Sequence, residues 1–236
     1  DDGTLTIEVT TNVIHGDGRR LVYHPKTLSV GVGCERGTDP SELVELVKTT
    51  LANHDLSRLS VGCVSSIDLK SDEAALHAVA GFFGLDARFM DAETLSRETP
   101  RLSTPSEIVF KEVGCYGVSE GAALSAAGPE GDLIIPKQKS RKATVAIARA
   151  RHPIEQGQVG NMQGKLSVIG IGPGQDAWRT PEASHLINEA TDLVAYSLYL
   201  DLLGEGIAGK IRHDFGLGEE ETRVRAALDL AAEGKN

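Results

Sequence analysis

Apolar and polar positions along the chain mark out one long region of alternating strands and helices, then a shorter one. Leu5, Ile7 and Val9 fall on one side of an extended segment, a Gly16-Asp17-Gly18 turn follows, and Leu21, Val22 and Tyr23 come next. Residues 1–27 therefore read as a short hairpin or a tail from a preceding domain, ended by Pro25. Residues 28–33 are an apolar strand running into Gly31, Gly33 and Cys34. Asp39 then caps a helix, with Pro40 in its first position and Glu42 three residues past the cap. Leu43, Val44, Leu46, Val47, Thr50 and Leu51 recur at helical spacing. Residues 59–65 are the next strand, Ser71 is expected to cap a second helix with Leu76, Val79, Ala80 and Phe83 inward, and residues 87–90 form a third strand.

A short helix follows over 106–113. Another covers 118–127, capped by Ser119 and stopped by Gly128. Residues 133–135 and 144–148 read as strands paired at the sheet edge. Residues 152–164 are polar, carry Pro153, Gly157, Gly160 and Gly164, and read as a linker. The second region opens with an apolar strand, 166–169, and a glycine loop of Gly170, Gly172, Pro173 and Gly174. Helices are expected over 180–190, 196–203 and 220–233, and a strand over 193–195. Strand-helix alternation favours a mostly parallel sheet with right-handed crossovers, an α/β fold. No internal repeat is visible.

Composition narrows the function. A formal charge of −10 with 4% aromatic residues disfavours nucleic acid, whose phosphates need a positive face and whose bases need stacking platforms. No run approaches the ~20 apolar residues of a spanning helix, and no secretory leader is present, so membrane and secretory roles are disfavoured. Cys34, Cys63 and Cys115 are odd in number and far apart, which fits reduced thiols in the cytoplasm. The seven histidines have no metal-ligand spacing, and no metal is expected. The chain begins Asp1-Asp2 without an initiator Met and reads as an excerpt of something longer.

Five places could carry chemistry. The loop from Gly31 to Gly37 holds Cys34 at a strand's carboxyl end, where open α/β sheets bind ligands; the plainer reading is a tight turn over a packed thiol. Ser65, Ser66, Asp68, Lys70 and Asp72 crowd the end of the next strand, either as an anion site or as ordinary caps and solvated charge. The stretch from Gly114 to Ser119 and Glu120 is a helix start that could form an anion nest or simply a cap. Between Asp132 and Glu155 there is no acidic residue, while Lys137, Lys139, Arg141, Lys142, Arg149 and Arg151 all occur. In a chain this acidic, such a reversal could attract a polycarboxylate or be only a solvated basic loop. The loop at Gly170, finally, is not the dinucleotide fingerprint, because Pro173 removes a donor and residues 175–179 intervene before the helix.

These motifs carry a resemblance. Val22 to Pro25, Leu28 to Gly37, Val64 to Lys70, Val113 to Ala123 and Ile135 to Ser140 resemble, in order, the CobE/CbiG C-terminal domain of cobalamin biosynthesis. Lys165 to Pro173 and Ala190 to Tyr199 resemble the start of a tetrapyrrole methylase, nearest to precorrin-3B C(17)-methyltransferase. The resemblance implies a three-layer domain with a mostly parallel sheet, followed by an incomplete α/β methylase domain. It divides the chain into a tail at 1–27, the CobE/CbiG-like domain at 28–151, a linker at 152–164 and the methylase part at 165–236. It implies a bifunctional enzyme of corrin ring assembly, homodimeric when complete, acting on precorrins with S-adenosylmethionine as methyl donor and possessing hydrolase relatives that open a lactone. The alternative is that residues 28–151 are a non-catalytic corrinoid-binding module. Candidate catalytic residues are Cys34, Ser65, Ser66, Ser119 and Glu120; candidate substrate contacts are Lys70, Lys137, Lys139 and Arg141. Gly170, Gly172, Pro173, Gly174 and Tyr196 are carried over as cofactor contacts, and S-adenosylmethionine is expected to bind this chain weakly or not at all.

Overall fold

The computed structural model describes residues 5–236, and the chain divides into two compact units, one ending at Asn161 and the other beginning at Met162. The first unit contains β1 (Thr6–Val9), β2 (Arg20–Tyr23), β3 (Leu28–Cys34), α1 (Pro40–Asn53), β4 (Val61–Ile67), α2 (Ala74–Phe83) and β5 (Ala87–Met90). It continues with α3 (Ala92–Arg97), α4 (Glu107–Val113), α5 (Val118–Ala127), β6 (Asp132–Lys139) and β7 (Ala143–Arg149). The main sheet has the order β5-β4-β3-β7-β6. β3 pairs in parallel with β4, and β4 with β5, while β7 runs antiparallel to both β3 and β6. Four of its five strands therefore point the same way, as a mostly parallel α/β sheet requires.

Both faces of the sheet are covered, which is why β3 and β4 are near-continuous buried runs rather than alternating ones. Leu28, Val30 and Val32 pack with Leu43 and Val47 of α1 and Leu76 and Val79 of α2. The opposite face lies under α5. A Cβ on Gly31 would come within 2.5 Å of the Ala123 nitrogen and closer still to the Ser119 carbonyl oxygen. Glycine here lets the helix lie directly on the strand, and α5 is correspondingly built of small residues buried on almost every side.

Several expectations need correction. β1 and β2 form a parallel pair, not a hairpin. The chain between them is diverted onto the α1–β4 connection, where Ser57 donates to the Thr11 carbonyl at 2.7 Å and Val13 to that of Asp55 at 2.8 Å. That part of residues 1–27 is thus sewn to the first unit. The second strand begins at Val61, because residues 58–60 form a 3-10 turn capped by Ser57. Ser71 does not cap α2: Glu73 holds the cap position, with its carboxylate drawn to Arg36 at 3.1 Å and the Gly37 amide at 3.1 Å. Gly117, not Ser119, precedes the first turn of α5. Residues 152–161 are docked, not free. Ile154 donates to the Lys26 carbonyl, Asn161 and Phe89 exchange backbone bonds, and Arg88 binds the carbonyls of Val159 and Gly160 at 2.6 and 2.7 Å.

The second unit contains α6 (Pro181–Glu189), β8 (Asp192–Tyr196), α7 (Ser197–Asp201), β9 (Ile211–Phe215) and α8 (Glu220–Ala232). Thr180 caps α6 by accepting from the Ala183 amide at 3.2 Å, with Pro181 in the first turn. β8 and β9 pair in parallel, and His213 meets Asp192 across the pair at 2.8 Å. β9 had no counterpart in the sequence reading: Ile211 to Phe215 mixes Arg212, His213 and Asp214 between two apolar ends. Residues 166–169 form no strand and join no ladder among the described residues, and Val168 stands 92% exposed. They face Leu193 and Ala195 of β8 across an apolar cavity of about 430 Å³.

Candidate functional site

The strand directions place the ends of β3, β4 and β6, and the β6–β7 turn, at one edge of the main sheet. A cleft of about 360 Å³ opens there, walled by α4 on one side and by the start of α5. Of the sequence candidates, Cys34, Lys70, Ser119, Lys137, Lys139 and Arg141 line it together. Lys142 joins them, as do Ser106, Val109, Glu112 and Val113 of the α4 wall. The α4 residues were missed because their helix is short and its cleft-facing positions carry no chemical signature. Arg149 and Arg151 turn elsewhere, to the Thr11 hydroxyl and to Glu130.

The remaining candidates are structural. Ser65 and Ser66 are each 1% exposed. Ser65 donates to the Ala122 carbonyl at 3.0 Å, tying β4 to α5, and Ser66 to the Val32 carbonyl at 2.7 Å, tying β4 to β3. Neither can reach a substrate. Glu120 is also 1% exposed and does not line the cleft. It accepts from the amides of Ser103, Thr104 and Lys137 and from the Thr104 hydroxyl, at 2.8–3.0 Å. Burial alone would raise its pKa, but these donors outweigh it and hold the carboxyl below its ordinary range. A carboxylate so occupied is not a general acid at neutral pH.

Positive charge gathers at the cleft, with Glu35 and Glu112 the carboxylates among its lining. Elsewhere Arg36, Lys48, Arg97, Arg101, Arg151, Arg179, Arg212 and Arg225 are all spent on carboxylates. Among the described residues, Lys70, Lys137, Lys139, Arg141 and Lys142 form no ion pair. Lys70 rests on the Cys34 carbonyl at 2.7 Å and Lys137 on the Thr104 carbonyl at 3.2 Å. Burial, and then neighbouring Lys139, lower the Lys137 pKa. The hairpin carrying Lys137, Lys139, Arg141 and Lys142 is braced by Glu42 of α1, which accepts from the Ser140 hydroxyl at 2.6 Å and the Lys142 amide at 2.7 Å. No side chain caps α5, and Gly117, Val118 and Ser119 at its start line the same cleft. Burial first, and Glu73 second, push the Cys34 thiol up despite Lys70 nearby, which argues against a thiolate nucleophile.

The fold and cleft define a three-layer α/β domain with a basic pocket at the carboxyl edge of its sheet. The chain belongs to the family described as Cobalamin synthesis G C-terminus, whose profile matches residues 28–148. It is 45% identical over 121 residues to Protein CobE of Sinorhizobium sp, covering 51% of this chain and 79% of that one. It is 37% identical over 128 residues to the cobalt-precorrin-5A hydrolase of Priestia megaterium, covering 54% of this chain and 33% of the other. A third match, 39% identical over 71 residues, is to the probable cobalt-factor III C(17)-methyltransferase of Salmonella typhimurium (strain LT2), covering 30% of each chain. The chain thus spans about a third of the length of the latter two proteins. Among the described residues, no helix is long and apolar enough to cross a membrane, and no group of three His, Cys, Asp or Glu could hold a metal ion.

Proposed function

We propose that the first unit binds a polycarboxylate tetrapyrrole of the precorrin type through its basic cleft. The carrying observation is the convergence at one cleft of five cations, none of them in an ion pair among the described residues and only Glu35 and Glu112 as carboxylates lining the cleft beside them, in a chain of net charge −10. Lys70 and Lys137 each rest on a neutral carbonyl and keep donors for an incoming carboxylate. A volume near 360 Å³ is at the small end of ligand sites (~300–1,000 Å³). It accommodates one edge of a macrocycle, whose ring then lies over the rim. The relatives named for cobalamin biosynthesis support this ligand class.

Binding is favoured over hydrolysis by this unit alone. The lining includes no histidine, burial raises the pKa of the Cys34 thiol, and the lining carboxylates Glu35 and Glu112 are exposed to solvent. Titration with cobyrinic acid, a corrin with free carboxylates, is expected to shift its visible spectrum saturably, more weakly as salt rises. Cobinamide, whose carboxylates are amidated, is expected to bind far less. An unchanged cobyrinic acid spectrum would sink the proposal.

The second unit we assign to the opening of a methyltransferase that acts on the same class of ring in the cytoplasm, making the whole protein bifunctional and, when complete, a homodimer. The methyltransferase-named relative supports this. Gly172 and Gly174 take left-handed backbone, at φ 67° and 106°, as the tight loop demands. Yet Gly170, Gly172, Pro173, Gly174 and Tyr196 do not line the unit's cavity, and Pro173 offers no N–H. They do not by themselves make a site for S-adenosylmethionine. Calorimetry is expected to show weak or no binding to this chain, and micromolar affinity would overturn that.

A further inference from the structure

We infer that Glu120 is a positioning residue for Lys137, and that Lys137 is the cation that grips one carboxylate of the ligand while Lys139, Arg141 and Lys142 chiefly attract it. The inference rests on the anion-binding reading of the cleft. Ile135 of β6 lies opposite Ile147 of β7, and Gln138 lies opposite Val145. Two residues, Pro136 and Lys137, therefore face the single residue Ala146: a β-bulge. Pro136 has no amide to lose, and the bulge turns the Lys137 amide out of the ladder and onto Glu120 at 2.9 Å. The same carboxylate holds the Thr104 amide and hydroxyl, each at 3.0 Å, and the Thr104 carbonyl receives the Lys137 ammonium. One buried anion thereby fixes both the backbone that carries the lysine and the acceptor that aims it.

Lys137 differs from its neighbours in setting. It is half-buried, whereas Lys139 and Arg141 are exposed; Lys142 is half-buried too, but its ammonium is not held by a carbonyl as that of Lys137 is. Only one of its three donor directions is used within the protein. A fixed, partly dehydrated ammonium gains more from an anion than a mobile, hydrated one does, and loses less side-chain entropy in doing so. Glu120 is buried and does not line the cleft; of the residues it holds, Lys137 is the one that does, so its influence there is routed through Lys137.

That dependence is testable by a double-mutant cycle on cobyrinic acid affinity, read from the visible spectrum at low salt. Lys137→Met is expected to weaken binding about tenfold, the value of one charge-assisted contact. Glu120→Gln should lose a similar factor, and the double variant should be no more than about threefold worse than either single one. A merely structural Glu120 would act independently, giving a double variant about a hundredfold weaker, and that result overturns the inference. So does a Glu120→Gln protein that binds like wild type. Should Glu120→Gln not fold, Thr104→Val removes one of the carboxylate's bonds and leaves its charge. It is expected to weaken binding about twofold to threefold with Lys137 present and not at all without it; equal losses in both backgrounds refute the inference. Failure of the wild type to bind cobyrinic acid is a different result, which removes the cleft reading itself.

Discussion

Val30 and Leu76 of the first unit are wholly buried between sheet and helices, whereas α8 of the second unit buries no residue and Val168 is 92% exposed. The first unit encloses its sheet on both faces in three adjoining clusters. The second has one cluster, centred on Ile187, Leu200, Leu203 and Ile207. Its parallel pair β8–β9 is a type of sheet that ordinarily needs cover on both faces. Local signals are sound in both: Thr180 caps α6 as well as Asp39 caps α1. Correct capping and turn chemistry therefore make elements, but enclosure makes a stable unit. The cleft of the first unit stands on an enclosed scaffold; the glycine loop of the second does not.

The largest expected effect follows directly. Denaturant unfolding of the whole chain should show two transitions, the second unit melting first. A core this small rarely supplies more than about 3–5 kcal/mol. Amides of α8 and of residues 166–170 should exchange within minutes, while those of β3 and β4 persist until global unfolding. Coincident transitions by hydrogen exchange and circular dichroism would break the comparison.

A pair of glycine substitutions sharpens it. Gly31→Ala would drive a methyl into the backbone of α5 and is expected to cost the first unit about 3 kcal/mol or more. Gly170→Ala meets nothing within 4 Å and should change stability by less than about 0.5 kcal/mol. Urea titrations followed separately in each unit would decide. A tolerated Gly31→Ala would mean that α5 does not rest on β3 as described.

The same contrast explains what could be read from sequence. α1 was legible because cap, stripe and stop agreed locally, and α2 by its apolar stripe alone, its cap lying at Glu73 and not Ser71. The basic segment was legible as a charge reversal, and its place beside Cys34 and Lys70 followed from a parallel sheet. Ser65, Ser66 and Glu120 looked like chemistry because hydroxyl and carboxylate types do not reveal what they bond to. Only the tertiary contacts with Ala122, Val32 and Thr104 show them to be ties. The strand expected at 166–169 failed for the opposite reason: its apolar run is real, but it has no laddered partner among the described residues. β9 was hidden by Arg212 and Asp214, which pair with each other on an exposed surface.

A smaller effect is the response to acid. Glu120 has its folded pKa held below the ordinary value, so its contribution is complete above about pH 4.3 and is lost as pH falls through the folded pKa. The second unit has its own case in Asp192. Burial would raise that carboxyl, but His213 and Thr191 donate to it and the net shift is downward. Both units should therefore lose stability below about pH 4, not above it. Urea midpoints at falling pH should show Glu120→Gln flattening the slope of the first unit alone and Asp192→Asn that of the second alone. A slope that either variant removes from both units would mean that they are not separate in folding.

The smallest effect uses the fact that Cys34, Cys63 and Cys115 all lie before Asn161, so thiol chemistry reports only on the first unit. Burial raises the Cys34 pKa, and Cys63 is pushed up to about 12 by burial that Arg88 only partly offsets. With a free thiol near 8.5, Cys34 at pH 7.5 should react with iodoacetamide several-fold more slowly than glutathione, and Cys63 should stay silent. At a urea concentration that has melted α8, Cys63 and Cys115 should still be protected, becoming reactive only when the second transition opens the sheet. If they label together with the loss of α8 helicity, the first unit does not stand by itself. Labelling confined to Cys34 would place the whole early loss of structure in the second unit, because Cys63 lies on β4 under α5 and cannot be reached while that helix remains seated.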